Sequence, residues 1–324
     1  MKYTENAINV MATRTFKGIG KAWITKNLST PKSASEIVGL LNSSTQFSSQ
    51  LTVDEFNGKK ILIKGLLAKS EGVIDGVVAL GDVGFPPHRG IIKDSEKPIF
   101  IFYCGNLSLL MADSNNIAVI GLLNPDKETE TIERELVARM VENGAVIVSG
   151  LALGCDTIAH RQALDSNGRT VAILPGPLND VLPAKNRGLA EEIVKKDGLL
   201  VSEYLTSAKS RNELSGRYQE RDRLQALYSN SIVLAASYAK NDIGNDSGSR
   251  LAMGYAKDYT IPRVVIYDKE NDSNNPKYDL NRQIISEDSN VYVVRWSNIS
   301  SAVSDILQLK PKSIKPQPVQ QSMI

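Results

Sequence analysis

The apolar and polar positions of the chain change rhythm twice along its length. Up to about residue 42 the pattern predicts helices, and a Ser-, Thr- and Gln-rich stretch over 42–50 predicts a linker. Between residues 51 and 111 the rhythm is irregular, with apolar segments at 61–67, 73–80 and 99–111. From residue 116 short apolar runs alternate with amphipathic stretches. Strands are expected over 117–120, 145–148, 170–174, 232–236, 263–267 and 291–294, with a further short run at 199–201. Helices are expected over 129–143, from Cys155 or Asp156 to the stop at Asn167-Gly168, and over 189–196, 220–228 and 249–257. The first of these carries Ile132, Leu136, Val137, Met140 and Val141 on one face and is closed by Gly144.

Strands separated by helices predict an α/β fold, a mostly parallel sheet with helices on both faces, behind a small helical N-terminal domain. The expected boundaries are 1–50 for the helical domain, 51–310 for the sheet domain and 311–324 for a Pro- and Gln-rich disordered tail. In such a sheet ligands sit beyond the carboxyl ends of the strands. The most informative of those ends lies in AVIVSGLALGCDTIAHRQAL, residues 145–164. A turn of small residues, Ser149-Gly150-Leu151-Ala152-Leu153-Gly154, joins strand to helix and aims backbone N–H groups above the sheet edge, a setting that favours phosphate. Asp156 suits the positive end of the helix dipole. A second Ser-Gly turn, Ser247-Gly248-Ser249-Arg250, leads into the helix at 249–257, so two helix N-termini are expected to face one anion. Lys185, Arg187, Arg217, Arg221 and Arg223 lie near these turns in sequence, interleaved with Glu191, Glu192, Glu220 and Asp222. That interleaving leaves open both a basic groove and an ordinary solvated face.

Composition narrows the field. At 324 residues, 42% hydrophobic and 23% charged, the chain has the make-up of a soluble protein able to bury a large core. Its net charge is +2, so an anionic partner has to be held by a local patch. Cys104 and Cys155 are too few for a disulfide framework or a zinc site; a reducing cytoplasm is expected, with no metal and no cofactor. The most apolar run, 99–111, is broken by Gly105, Asn106 and Ser108 and is too short to span a bilayer. With a polar opening segment that predicts no signal peptide, no membrane partner is expected.

Two further patterns carry candidate chemistry. In Phe16-Lys17-Gly18-Ile19-Gly20-Lys21-Ala22-Trp23, a Gly-Ile-Gly between helical segments has the form of a helix-hairpin-helix, whose amides grip a DNA phosphate. A helix C-cap followed by a new helix has the same letters. Asp156 and His160, four apart on one helix, with Ser149 invite a nucleophile–base–carboxylate reading. A helix pair beside its own strand end rarely puts the His between Ser and Asp, so Asp156 as a helix cap with His160 packed behind it is preferred. Cys155, at a helix N-terminus, reads as a small packing residue.

The block Ser149-Gly150-Leu151-Ala152-Leu153-Gly154-Cys155-Asp156 with Ala159-His160-Arg161-Gln162-Ala163-Leu164 resembles the DprA/Smf family of DNA-processing proteins. The resemblance continues in order through Gly168-Arg169-Thr170, Leu182-Pro183-Ala184-Lys185-Asn186, Ser202-Glu203-Tyr204, Arg221-Asp222-Arg223, Ser247-Gly248-Ser249 and Asn281-Arg282-Gln283-Ile284. Upstream, Phe85-Pro86 and Gly105-Asn106 match as well, so it covers roughly 85–294. It departs where family members carry Ser/Thr-Arg after the first-strand glycine: Leu122-Leu123-Asn124-Pro125 stands here. Asp222 also replaces the middle Asn of the family's RNR, and these departures fit a divergent paralogue. The resemblance implies an extended Rossmann-like domain, a non-enzymatic role in binding single-stranded DNA, homodimerisation, and delivery of the strand to the RecA recombinase in transformation or recombination. The implied phosphate contacts are Ser149, Gly150, Lys185, Asn186, Arg187, Arg221, Arg223, Ser247, Gly248, Ser249 and Arg250, with Gly18, Gly20 and Lys21 as a second contact. A nucleotide sensor or hydrolase using the same pocket is the alternative.

Overall fold

The computed structural model describes residues 1–44, 50–240 and 248–312; Ser247 and all but the first two residues of the expected tail lie outside them. Four helices open the chain: α1 (Glu5–Arg14), α2 (Lys21–Asn27), α3 (Ala34–Asn42) and α4 (Val53–Ala68). Their starts are written in side chains. Thr4 accepts from the Ala7 N–H, and Ser33 with Glu36 and Thr52 with Glu55 form capping boxes that satisfy amides otherwise left open. Two strands follow, β1 (Gly76–Ala79) and β2 (Phe100–Gly105), and then the regular alternation begins. It runs β3 (Asn116–Ile120), α5 (Lys127–Glu142), β4 (Val146–Ser149), α6 (Cys155–Asp165), β5 (Thr170–Ile173), α7 (Arg187–Lys195), β6 (Leu199–Ser202) and α8 (Arg211–Leu227). Beyond them come β7 (Ser231–Leu234), α9 (Gly248–Asp258), β8 (Arg263–Ile266), α10 (Lys269–Asp272), α11 (Asp279–Glu287), β9 (Tyr292–Val294) and α12 (Ile299–Gln308).

All nine strands form one sheet in the order β1-β2-β6-β5-β4-β3-β7-β8-β9. The strands from β6 to β9 in that order are parallel, whereas β2 runs antiparallel to both β1 and β6. The fold is therefore the α/β, Rossmann-like, mostly parallel sheet that the alternation predicts, with an antiparallel extension from the irregular stretch. From β3 the chain steps outward through β4, β5 and β6, then returns to the other side of β3 for β7, β8 and β9. The order reverses between β3 and β7, which opens a crevice at their carboxyl ends.

Alternate residues of the strands feed two cores. Ile101, Val171, Ile173 and Val201 face the core that holds Leu136, Val137 and Met140 of α5 and Met253 of α9. Phe102, Ala172 and Leu200 face the core that holds Ile8, Ile24, Leu41 and Phe56 of the opening helices and Ile193 of α7. The N-terminal helices thus share a core with the sheet. α4, which starts beyond the expected boundary at residue 50, packs on this helical layer, with Phe56 stacked on Phe16 at 6.0 Å. α8 begins at Arg211, nine residues before the expected start, because Ser210 accepts from the Glu213 N–H and nucleates a polar first half that carries no apolar stripe.

Candidate functional site

The crevice between β3 and β7 is an open cleft of about 550 Å³. Gly121, Leu122 and Leu123 after β3, Ala152, Leu153 and Asp156 of the β4–α6 turn, and Gly248 and Ser249 at the start of α9 line it. Tyr218, Arg221, Asp222 and Gln225 of α8 and Tyr238 after β7 complete the wall. Leu123 and Leu153 stand exposed at the mouth, at 64% and 38% of their full accessibility.

The floor is built around Asp156. Its Oδ2 accepts from the N–H groups of Gly150 (3.1 Å) and Ala152 (3.2 Å) and lies 3.5 Å from Nη1 of Arg221. The turn amides expected to await a phosphate are therefore held by the chain's own carboxylate, which reaches back from the first turn of α6. Arg221 packs against the turn: a Cβ at residue 150 would sit 1.3 Å from its Nη1, so this close approach depends on glycine. With its amide oxygen facing them, Gln225 accepts from Gly150 N–H (2.9 Å) and Arg221 Nη1 (3.0 Å). Arg221 Nε lies 3.4 Å from Asp222, and its guanidinium is 5.5 Å from the Tyr218 ring. Burial pushes the Asp222 carboxyl up to about 7; Asp156 adds to the rise and Arg221 opposes it. Asp222 thus changes charge in the neutral range.

The remaining expected contacts divide. Lys185 and Arg187 are exposed on the segment that follows Pro183 of the cleft wall, Arg187 with a 3.4 Å contact to Asp180. Asn186 between them is buried and points inward, its Nδ2 donating to the Leu151 carbonyl (2.8 Å), the Ala152 carbonyl (3.2 Å) and Thr157 Oγ1 (2.8 Å). Asn186 clamps the turn, where Leu151 holds a φ of +59° that a leucine rarely adopts. Ser149 is buried and donates to the Val119 carbonyl (2.7 Å); Ser249 donates to the Gly121 carbonyl (3.1 Å). Gly248 sits against Asp222, and Arg250 is half-buried on the same turn of α9. Arg223 leaves the group altogether. It is buried on the far side of α8, bound to Glu203 (2.5 Å) and Glu220 (3.3 Å), and it donates to the Glu96 carbonyl. Lys21 joins the same network through Glu220 (2.8 Å) and Glu203 (3.3 Å). Gly18, at a φ of +84°, and Gly20, the N-cap of α2, form the turn between α1 and α2 beside it.

Ser149, Asp156 and His160 form no relay. His160 Nδ1 lies 2.7 Å from Thr170 Oγ1, whose one proton goes to the Ile147 carbonyl (2.7 Å), so Nδ1 carries a hydrogen and donates. Burial, then Arg221, pulls His160 down to about 3, so it stays neutral and packs as expected. Cys155 lies against Glu133, a fully buried acid of α5, and burial raises both groups well above their ordinary values. The thiol is thus un-ionised in spite of its place at a helix N-terminus. Among the described residues no cluster of His, Cys, Asp or Glu suits a metal ion, and no helix is long and apolar enough to cross a membrane.

The model of the family described as DNA recombination-mediator protein A matches residues 76–300. The chain belongs to that family. It is 32% identical to the DNA processing protein DprA of Streptococcus pneumoniae over 173 residues, 53% of this chain and 58% of that protein. It is 30% identical to Protein Smf of Borreliella burgdorferi over 168 residues, 51% of this chain and 50% of that protein. The matched region thus spans about half the length of these curated relatives. Among solved structures, that of DNA processing protein A from S. pneumoniae has a TM-score of 0.70 at 22% identity, covering 94% of this chain and 98% of that one, a likeness of fold. The Helicobacter pylori protein, whose structure concerns its own single-stranded DNA binding mode, has a TM-score of 0.57 at 26% identity over 72% of this chain and 97% of that one.

Proposed function

We propose that the cleft and its rim bind single-stranded DNA, bases against the walls and phosphates along the cationic edge. The observation that carries this is the juxtaposition of Tyr218, Tyr238, Leu123 and Leu153 in one open trough, from whose wall the chain leaves at Pro183 toward exposed Lys185 and Arg187. Aromatic and apolar surfaces next to cations are what a strand without sequence preference requires, because every base has a stacking face and every nucleotide a phosphate. Where the family motif has an arginine after the first-strand glycine, exposed Leu123 offers a base contact in place of a phosphate contact. The contacts assigned to phosphate are Lys185, Arg187, Arg250 and the Gly248–Ser249 turn, with Arg221 at the floor; Ser247, also expected there, lies outside the described residues. Ser149, Asn186, Arg223 and Lys21 shape or brace the site. Family membership and the Helicobacter relative's single-stranded DNA binding support the reading. On the same basis the chain acts as a homodimer, without a hydrolytic step, and hands the strand to the RecA recombinase in the cytoplasm.

Fluorescence anisotropy of the full chain with single-stranded DNA, duplex and a mononucleotide, over a salt series, tests this. Single strands should bind best, with little sequence preference and a log–log salt slope of roughly −0.7 per phosphate contact. Tighter duplex binding overturns the reading, and a mononucleotide bound as tightly with a shallow slope turns it into a nucleotide sensor. RecA filament assembly on the bound strand should accelerate; an unchanged assembly rate removes the delivery step alone.

A further inference from the structure

α8 turns Tyr218, Arg221, Asp222 and Gln225 to the cleft, at helical spacings that place them in one stripe. Two of them are engaged with the floor: Gln225 accepts from Gly150 N–H and Arg221 Nη1, and that same Nη1 faces Asp156. Asp222 is not engaged. It is 4% exposed, and its carboxyl accepts no hydrogen bond among the described residues. Its nearest cation, Arg221 Nε at 3.4 Å, is a buried donor that makes no hydrogen bond either. Gly248 of α9 presses on the group, since a Cβ there would stand 2.9 Å from Oδ2. Gly248 and Ser249 bring no charge, so the charged groups acting on Asp222 are Arg221 and Asp156 of α6, with the Tyr218 and Tyr238 hydroxyls in the same walls. A buried carboxyl without a hydrogen bond is costly. This one lines an open trough, where a ligand can supply the missing partner.

The chemistry of the carboxyl says which ligand group that is. Tyr218 stands one helical turn before Asp222, so a base lying on the Tyr218 ring brings its edge to the carboxyl. When ionised, the group only accepts, at two adjacent oxygens. Guanine alone sets two donors side by side on its Watson–Crick edge, N1–H and N2–H. Adenine, cytosine and thymine would each place a lone pair against one carboxylate oxygen. When protonated, the group offers one donor and one acceptor, and all four bases carry the complement of that pair. We propose that Asp222 reads one base of the bound strand at its Watson–Crick edge and, in its ionised form, selects guanine there. This contact determines specificity, and it rests on the reading of the cleft as a single-strand site. Burial holds the proton up to about pH 7, so the selection is absent in mild acid and full above neutrality. A long mixed strand slides a guanine into register and shows little preference; a short strand exposes it.

Anisotropy of the full chain with a short oligothymidine, and with the same strand carrying one central guanine, tests this at about pH 6 and about pH 8.5. The ratio of the two affinities should be near unity in acid and rise about fivefold or more at the higher pH, the discrimination of a bidentate pair. Inosine in place of the guanine lacks the N2 donor and should lose most of that gain. The 7-deaza analogue of guanine keeps the edge intact and should keep the gain. Asp222→Asn carries one donor and one acceptor at every pH, so its ratio should stay flat near unity with the fold intact by circular dichroism. A wild-type ratio that does not move with pH, or that moves equally in Asp222→Asn, overturns this proposal alone when oligothymidine still binds with the expected salt slope. If no strand binds, or if Lys185→Glu with Arg187→Glu leaves binding unchanged, the reading of the cleft falls with it.

Discussion

Arg221 and Arg223 are the same residue type two positions apart on α8, and they belong to different parts of the molecule. Two helical residues differ by about 200° in direction, so the pair cannot serve one surface. Arg221 faces the cleft and lies between Asp156 and Asp222; Arg223 faces the opening helices, where Glu203, Glu220 and Lys21 enclose it. A motif written as R-D-R fixes the chemistry of its letters, and the phase of the helix decides which of them a ligand can meet.

The largest expected effect comes from removing the enclosed arginine. Arg223→Ala leaves buried Glu203 with Lys21 as its one remaining cation and should cost about 3 kcal/mol in urea unfolding, with the salt slope of DNA binding by the folded fraction unchanged. Wild-type stability together with lost DNA affinity would break the comparison, because Arg223 would then be a contact and not a brace.

Asp222, between the two arginines in sequence, sharpens the comparison through pH. Its carboxyl keeps a proton up to about pH 7, whereas an unfolded Asp releases it near pH 4. Between those values the folded state binds the extra proton, so this residue's contribution to stability falls as pH rises. Asp222→Asn removes that loss and should gain on the order of 2 kcal/mol over the wild type between about pH 5 and pH 8. Affinity for single strands should decline across the same interval in the wild type, as negative charge appears beside Gly248, and hold level in the variant. Parallel pH profiles for the two proteins would show that Asp222 does not titrate there.

The smallest effect on the fold should come from the rim. Lys185→Glu with Arg187→Glu should cost tenfold or more in single-strand affinity, about 1.4 kcal/mol, and flatten the salt slope. Unfolding should move by less than about 0.5 kcal/mol, since both side chains are exposed. Anisotropy and circular dichroism on the same samples decide it; unchanged affinity and slope place the strand elsewhere.

Much of this architecture is legible in the sequence because parallel strands buried on both faces leave plain apolar runs, as in β3, β4 and β7. β1 and β2 are not, since they arise from an irregular stretch in which β2 is placed by tertiary pairing with β6 and β1 by pairing with β2. The cleft is legible from the turn at 149–154, but the destinations of its charges are not. Glu133 is polar by letter, yet it lies four residues from both Thr129 and Val137 and therefore on the buried face of α5. That spacing was the available signal. Asn186, flanked by two cations, has the neighbours of a ligand contact and the hydrogen bonds of a clamp, and nothing in its immediate sequence separates the two.

That clamp ties two stretches of chain into one kinetic unit. A single amide group on the segment that presents Lys185 and Arg187 secures the carbonyls of Leu151 and Ala152 and the hydroxyl of Thr157. In hydrogen exchange the amides of 150–157 and 184–188 should therefore open together, with a common free energy, as a cooperative unit of the native state. A strand that quiets the rim should slow exchange in the turn beneath it by the same factor.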